Sequence, residues 1–186
     1  MKKKITRFAI TIGFSGKILN EIKSFKKSLK KDDVKFMYYD HALPHITVLA
    51  GETNLSNQKK IFIKLKKEKI KKFKLSSPGL GVLANKFPNL YVRWEYSKIL
   101  KKNLDQIYKN FSHFFKNKNF FSENCSNSDN WIPKTTIAWK DLKYDDLGYI
   151  YDKYKSMFKK RKCLIDRFYL IDFTHKKEKI VYKILL

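Results

Sequence analysis

Two short segments carry side chains in a spacing that could do phosphoryl chemistry. Pro44-His45-Ile46-Thr47-Val48 and Pro133-Lys134-Thr135-Thr136-Ile137 each place a nitrogen side chain after a proline, a threonine two positions on, and a β-branched apolar residue next. The second copy follows the first by about ninety residues, close to half the chain, as an internal repeat would. On a strand, residues two apart face the same way, so His45 shares a face with Thr47 and Lys134 with Thr136. Two such strands at one cleft would surround it with two nitrogen groups and two hydroxyls. Cleaving a phosphodiester needs that set: one group removes a proton from the attacking oxygen, a second protonates the leaving oxygen, and donors hold the phosphoryl oxygens. His45, with an ordinary pKa of about 6.5, can take or give a proton near neutrality. An exposed lysine stays cationic there, so Lys134 is expected to stabilise charge or, with a depressed pKa, to act as general acid. Thr47 and Thr136 would hold phosphoryl oxygens. The scheme calls for no metal and no organic cofactor.

Hydrophobic patterning supplies the elements that must position these groups. Residues 5–14 are rich in β-branched and aromatic types and run into Gly13 and Gly16, predicting an opening strand. Ile18, Leu19, Ile22, Phe25 and Leu29 recur at helical spacing among lysines, predicting an amphipathic helix over 18–30. Residues 36–49 are β-like around Pro44, and the Lys-rich stretch 56–72 is expected to be helical. Phe73-Lys-Leu75 leads into Ser76-Ser-Pro-Gly-Leu-Gly81, expected to be a turn, and then a strand at 90–96. Ile99, Leu100, Leu104, Ile107, Tyr108, Phe111 and Phe115 predict a helix over 98–115. The polar run 122–131 reads as a connection or an active-site rim. A strand at 131–139, a helix at 144–159 and two closing strands at 163–173 and 180–186 complete the order. Strands interleaved with helices and hairpins predict an α+β fold of mixed or antiparallel sheets covered by helices. No linker divides the chain, so 1–186 is expected to be one domain.

Taken with this layout, the motifs resemble those of the two-histidine (2H) phosphoesterase superfamily, in its 2′-5′ RNA ligase-like and cyclic phosphodiesterase branch. The resemblance is carried by Leu43-Pro-His-Ile-Thr-Val48, Trp131-Ile-Pro-Lys-Thr-Thr136, the Gly79-Leu-Gly81 segment before Leu90-Tyr-Val92, and the closing strand–turn–strand. It spans essentially the whole chain. It implies a bilobal, pseudo-twofold α+β fold, with two antiparallel sheets flanked by helices around a central cleft and one motif in each lobe. It also implies a cleft that takes RNA ends or small nucleotides with 2′-5′ or 2′,3′-cyclic phosphate linkages. The chain departs from the family at one place: Lys134 stands where the second histidine is expected. Losing one acid–base partner costs roughly 10²–10⁴-fold in rate. Two functions therefore stand side by side. One is a metal-independent phosphodiesterase of RNA ends or small oligonucleotides; the other is a catalytically weakened homologue that binds or sequesters RNA or nucleotides. Trp131 resembles a family position and is the candidate for stacking a base, worth about 1–3 kcal/mol, with core packing as its competing role.

Net charge enters as a secondary feature. The chain has 42 Lys+Arg against 17 Asp+Glu, a formal +25, and such a surface attracts polyanions. Only four of the 42 are arginine (Arg7, Arg93, Arg161 and Arg167). A surface selected for bidentate phosphate recognition would use more arginine, so much of the charge is assigned to the coding bias that also favours Lys, Asn, Ile, Phe and Tyr. A basic RNA-binding module without a cleft is the third reading. It predicts salt-dependent affinity that survives loss of both His45 and Lys134.

No apolar run approaches the roughly 18 residues that span a bilayer, and Arg7 interrupts the apolar start of the chain, against a signal peptide. Cys125 and Cys163 lack the spacing of a disulfide framework or metal site. The expectation is a cytoplasmic monomer with an RNA or small-nucleotide partner and no membrane. His41 lies four before His45, but Pro44 and the lack of a third ligand argue against a metal pair. His113 and His175 read as packing or surface residues, while Tyr38, Tyr39 and Arg93 could reach substrate if strand direction allows.

Overall fold

The structure, a computed structural model, describes residues 5–32, 43–83, 88–116, 131–139, 142–156, 160–174 and 178–186. The elements run β1 (Ile5–Gly13), α1 (Gly16–Asp32), β2 (His45–Asn54), α2 (Leu55–Lys67), β3 (Phe73–Ser77), β4 (Gly79–Leu83), β5 (Asn89–Arg93), α3 (Lys98–Phe111), a 3-10 turn (Ser112–Phe114), β6 (Lys134–Trp139), α4 (Tyr144–Tyr154), β7 (Arg161–Ile165), β8 (Arg167–Asp172) and β9 (Lys179–Leu185). They form a four-stranded sheet β2-β1-β8-β9, a three-stranded sheet β4-β5-β6 and a ribbon β3-β7. Every pairing is antiparallel. The expected α+β fold is therefore observed, with the ribbon added to the two sheets.

Three local expectations are corrected. Ser76–Gly81 is not a turn as a whole: only Pro78 lies between β3 and β4, and Gly79 opens β4. Gly79 has φ of 142°, a conformation that L side chains rarely adopt, and its N–H bonds the Ser77 hydroxyl at 3.2 Å. Residues 163–173 are not one strand but two in different sheets, parted at Asp166. The Asp166 carboxylate takes both Arg167 Nε (2.6 Å) and Nη2 (2.9 Å) and the Ser15 hydroxyl (3.2 Å), which fixes the crossing between sheets. Helix α2 stops at Lys67 instead of 72. Glu68 is extended, and its carboxylate receives the side-chain amides of Gln106 (2.6 Å) and Asn110 (2.9 Å) from α3.

The helices follow the predicted apolar stripes. In α1, Ile18, Ile22, Phe25 and Leu29 are buried, and Lys26, one turn beyond Ile22, is drawn in with them at 5% exposure. In α3, Leu100, Leu104, Ile107 and Phe111 are buried, and the Ser97 hydroxyl caps the first turn by accepting from Leu100 N–H at 3.2 Å. Such a cap is worth about 1 kcal/mol. The helices also cross between the halves: α1 reaches β6, and α3 reaches β2. Between the sheets, the fully buried rings of Phe14 and Trp94 stack with centroids 5.0 Å apart. Each follows the strand that pairs with a motif strand, Phe14 after β1 and Trp94 after β5.

Candidate active site

The two motif strands are built alike. In β2, His45 stands opposite Gly13, Ile46 opposite Ile12 and Thr47 opposite Thr11; the next pair is Leu49 with Ile10, so Val48 is an extra, unpaired residue. In β6, Lys134 stands opposite Arg93, Thr135 opposite Val92 and Thr136 opposite Tyr91; the next pair is Ala138 with Leu90, so Ile137 is the extra residue. Each motif thus ends in a bulge one residue past its threonine. A bulge puts two consecutive side chains on one face and bends the strand. Burial follows suit: His45, Thr47, Lys134 and Thr136 are half-buried, while Ile46, Val48, Leu49, Thr135, Ile137 and Ala138 are buried.

Strands β2 and β6 lie against each other. The Trp131 indole N–H donates to the Thr47 carbonyl at 3.2 Å, tying the segment before one motif to the backbone of the other. Trp131 is 5% exposed and meets Tyr96 edge-on. Its place is that of a strut between the motifs, the packing role that competed with base stacking. Trp94 makes a matching tie within its own half, its indole N–H donating to the buried Thr135 hydroxyl at 2.9 Å. Trp94 N–H also bonds the Pro133 carbonyl at 2.9 Å, holding the entry to β6.

His45 occupies a dry corner. Its side chain is 14% exposed, and Nδ1 lies 2.8 Å from the Leu43 carbonyl. A carbonyl only accepts, so Nδ1 carries the hydrogen and Nε2 is left with the lone pair. Burial lowers the His45 pKa to about 4, against the raising effect of the Leu43 bond and with help from the positive charge of Lys26. At neutral pH the ring is therefore neutral and holds a free acceptor nitrogen. Nδ1 also lies 4.0 Å from Glu178 Oε2, and the Phe173 ring centroid is 6.0 Å away. In the ladder His45 pairs with Gly13, whereas Lys179 pairs with Asp172 and Asp172 with Phe8, so the contact joins residues that the pairing register sets at different ends of the sheet. Glu178 is 9% exposed, and burial raises its pKa to about 7 against the lowering effect of Lys26. Both groups are pushed towards their uncharged forms, so the close approach is not a charged ion pair across neutral pH.

The second half differs in sign. Lys134 and Arg93 are directly opposed, and opposed residues of an antiparallel pair share a face. Arg93, one of the residues expected to reach substrate if strand direction allowed, is exposed there, and its charge acts on Tyr91 two residues away. This face presents two cations where the first presents one neutral imidazole. Like charges opposite each other repel by a few tenths to 1 kcal/mol, a cost that an anion between them would remove.

The sequence carried no signal for Glu178, which sits in a Lys-rich turn and reads as solvated. Lys26 was findable, since it lies four after Ile22 and three before Leu29 on the apolar stripe. His113 lies in the 3-10 turn against Phe114, with ring centroids 4.1 Å apart. Tyr38, Tyr39, His41, Cys125, His175 and the polar run 122–130 lie outside the described residues. Among the described residues, no group of three or more His, Cys, Asp or Glu is placed to hold a metal ion, and no helix is long and apolar enough to cross a membrane.

The chain matches no protein-family model, and no curated protein is detectably similar to it in sequence. Solved structures do match it over their full length. Escherichia coli LigT in apo form superposes with a TM-score of 0.62 at 13% identity, covering 98% of each chain. LigT complexed with 3′-AMP gives 0.59 at 11% identity, again over 98% of each. TT0787 of Thermus thermophilus gives 0.62 at 10% identity over 97% of each. At such identities the likeness is one of fold: antiparallel sheets flanked by helices give this chain a LigT-like α+β fold over 98% of its length.

Proposed function

We propose that the chain is a metal-independent phosphodiesterase of RNA ends or small oligonucleotides, acting on 2′,3′-cyclic phosphate or 2′-5′ linkages. The observation that carries this reading is the matched construction of β2 and β6: the same register, bulge and burial in two adjoining strands. LigT has been solved with 3′-AMP, with phosphate and with ATP, which supports a nucleotide as the ligand of a cleft built this way. In the proposed reaction His45 Nε2 takes the proton of the attacking water as its oxygen bonds to phosphorus, the P–O bond to the leaving ribose oxygen breaks, and that oxygen takes the proton back from the imidazolium. Lys134 and the Thr47 and Thr136 hydroxyls hold the phosphoryl oxygens as charge builds on them. A neutral His45 on one motif strand and a cationic Lys134 on the other would separate the base from the electrostatic stabiliser. The whole chain, 1–186, acts as one bilobal unit, with each lobe contributing one motif.

Incubation with 2′,3′-cyclic nucleotides and 2′-5′ oligoadenylate in EDTA tests the proposal. The expected result is turnover of at least one substrate. Tight binding without turnover would replace it with the sequestering role, and neither binding nor turnover would remove both.

A further inference from the structure

Glu178 is unusual for a carboxylate in so basic a chain. Its side chain is 9% exposed, and among the described residues neither carboxyl oxygen has a hydrogen-bond partner. A buried carboxyl left in this state is costly, and it lies beside the proposed catalytic base, with Oε2 4.0 Å from His45 Nδ1. The groups that act on the pair, among the described residues, are the buried Lys26 of α1, the Leu43 carbonyl before β2 and the Phe173 ring after β8. Lys26 opposes a positive charge on His45 and favours a negative one on Glu178.

We infer that Glu178 is a positioning residue for His45: its carboxyl keeps the pair's titratable proton while the imidazole is neutral and gives it up when the imidazole becomes charged. The inference rests on the phosphodiesterase reading for its purpose, but not for its test. In the free protein the proton resides on Glu178, and His45 keeps the lone pair on Nε2. When Nε2 takes the proton of the attacking water, or is charged beside a bound phosphate dianion, the Glu178 carboxyl releases its own proton to water, so the total held by the pair is unchanged. The carboxylate then stands 4.0 Å from Nδ1 of an imidazolium whose Nδ1–H stays on the Leu43 carbonyl, close enough to offset its charge. This gives the site a proton donor on its histidine side, where Lys134 leaves the other side without an imidazole.

The experiment is an NMR titration of the His45 imidazole in the wild type and in Glu178→Gln, with and without inorganic phosphate. In the free wild type, the ring responds in two steps: a minor one that follows Glu178 near pH 7 and a major one near pH 4. Glu178→Gln leaves only the lower step. Phosphate raises the wild-type His45 pKa, and the variant's stays lower by about one unit or more, the usual effect of losing an opposite charge at this distance. Lys26→Met, which removes the shared cation, raises both titrations and reports the coupling without touching Glu178. Identical His45 titrations in wild type and Glu178→Gln overturn the inference. If the two groups couple as expected but phosphate moves nothing, the pair stands and the phosphodiesterase reading falls.

Discussion

The two motif strands share backbone register and bulge, yet the ground opposite each motif is different. Opposite His45 is Gly13, and the space its missing side chain leaves is filled by the Tyr169 ring, whose hydroxyl is fixed to the Phe14 carbonyl at 3.2 Å. Opposite Lys134 is the exposed Arg93, and it is the pair two positions along, Tyr91 with Gly81, that repeats the ring-over-glycine contact. One half thus walls its nitrogen with an aromatic ring and a buried carboxyl and removes its charge. The other doubles its charge by setting the exposed Arg93 opposite Lys134. A repeated backbone sets where the side chains meet; what opposes them sets whether each acts as a base or as a cation.

Substitutions can break or sharpen that contrast. The largest effect is expected from His45→Ala, which removes the only neutral acceptor nitrogen of the proposed pair. Turnover of a 2′,3′-cyclic nucleotide should fall by roughly 10²–10⁴-fold while the circular dichroism spectrum is unchanged; unaltered turnover would remove His45 from the reaction. Trp94→Ala strikes the contact common to both halves, since it deletes the ring stacked on Phe14 and leaves the buried Thr135 hydroxyl unpaired. Denaturant unfolding should show a loss of about 3–5 kcal/mol.

The paired glycines come next. A Cβ at Gly13 would lie 2.2 Å from the Tyr169 ring, and one at Gly81 2.6 Å from the Tyr91 ring. Because Tyr169 is tethered by its hydroxyl, Gly13→Ala should destabilise by about 1–3 kcal/mol. Gly81→Ala should destabilise by less, and equal losses would mean that the tether does not distinguish the halves. The smallest effect expected is a gain. Lys134→His puts a titratable ring on the cationic side and should raise turnover by about tenfold or more if a missing general acid limits the rate. A rate that stays flat would favour a protein that binds without cleaving.

Much of this was legible in the sequence, and the parts that were not share a cause. Helices α1 and α3 could be placed because their stripes, Ile18 to Leu29 and Leu100 to Phe111, recur at a period that only a helix satisfies. The His45–Thr47 and Lys134–Thr136 faces could be placed because strand alternation is strict over three residues. The break at Asp166 escaped because the apolar pattern runs through it, and only the bonds from Ser15 and Arg167 show that the chain changes sheet there. The bulges at Val48 and Ile137 escaped because each is defined by its partner strand. The end of α2 was set by Gln106 and Asn110, about forty residues away in α3.

By itself, the sequence determined which side chains could do chemistry and which face of each strand they share, since both follow from residue type and a period of two. Tertiary structure alone decided their electrical state. His45 is neutral because the fold buries it, beside Glu178 and within the field of Lys26. Lys134 stands in a cationic face because β5 presents Arg93 opposite it. Desolvation and Coulomb forces act between neighbours in space, and Glu178, Lys26 and Arg93 each lie 19 or more residues along the chain from the motif residue they modify.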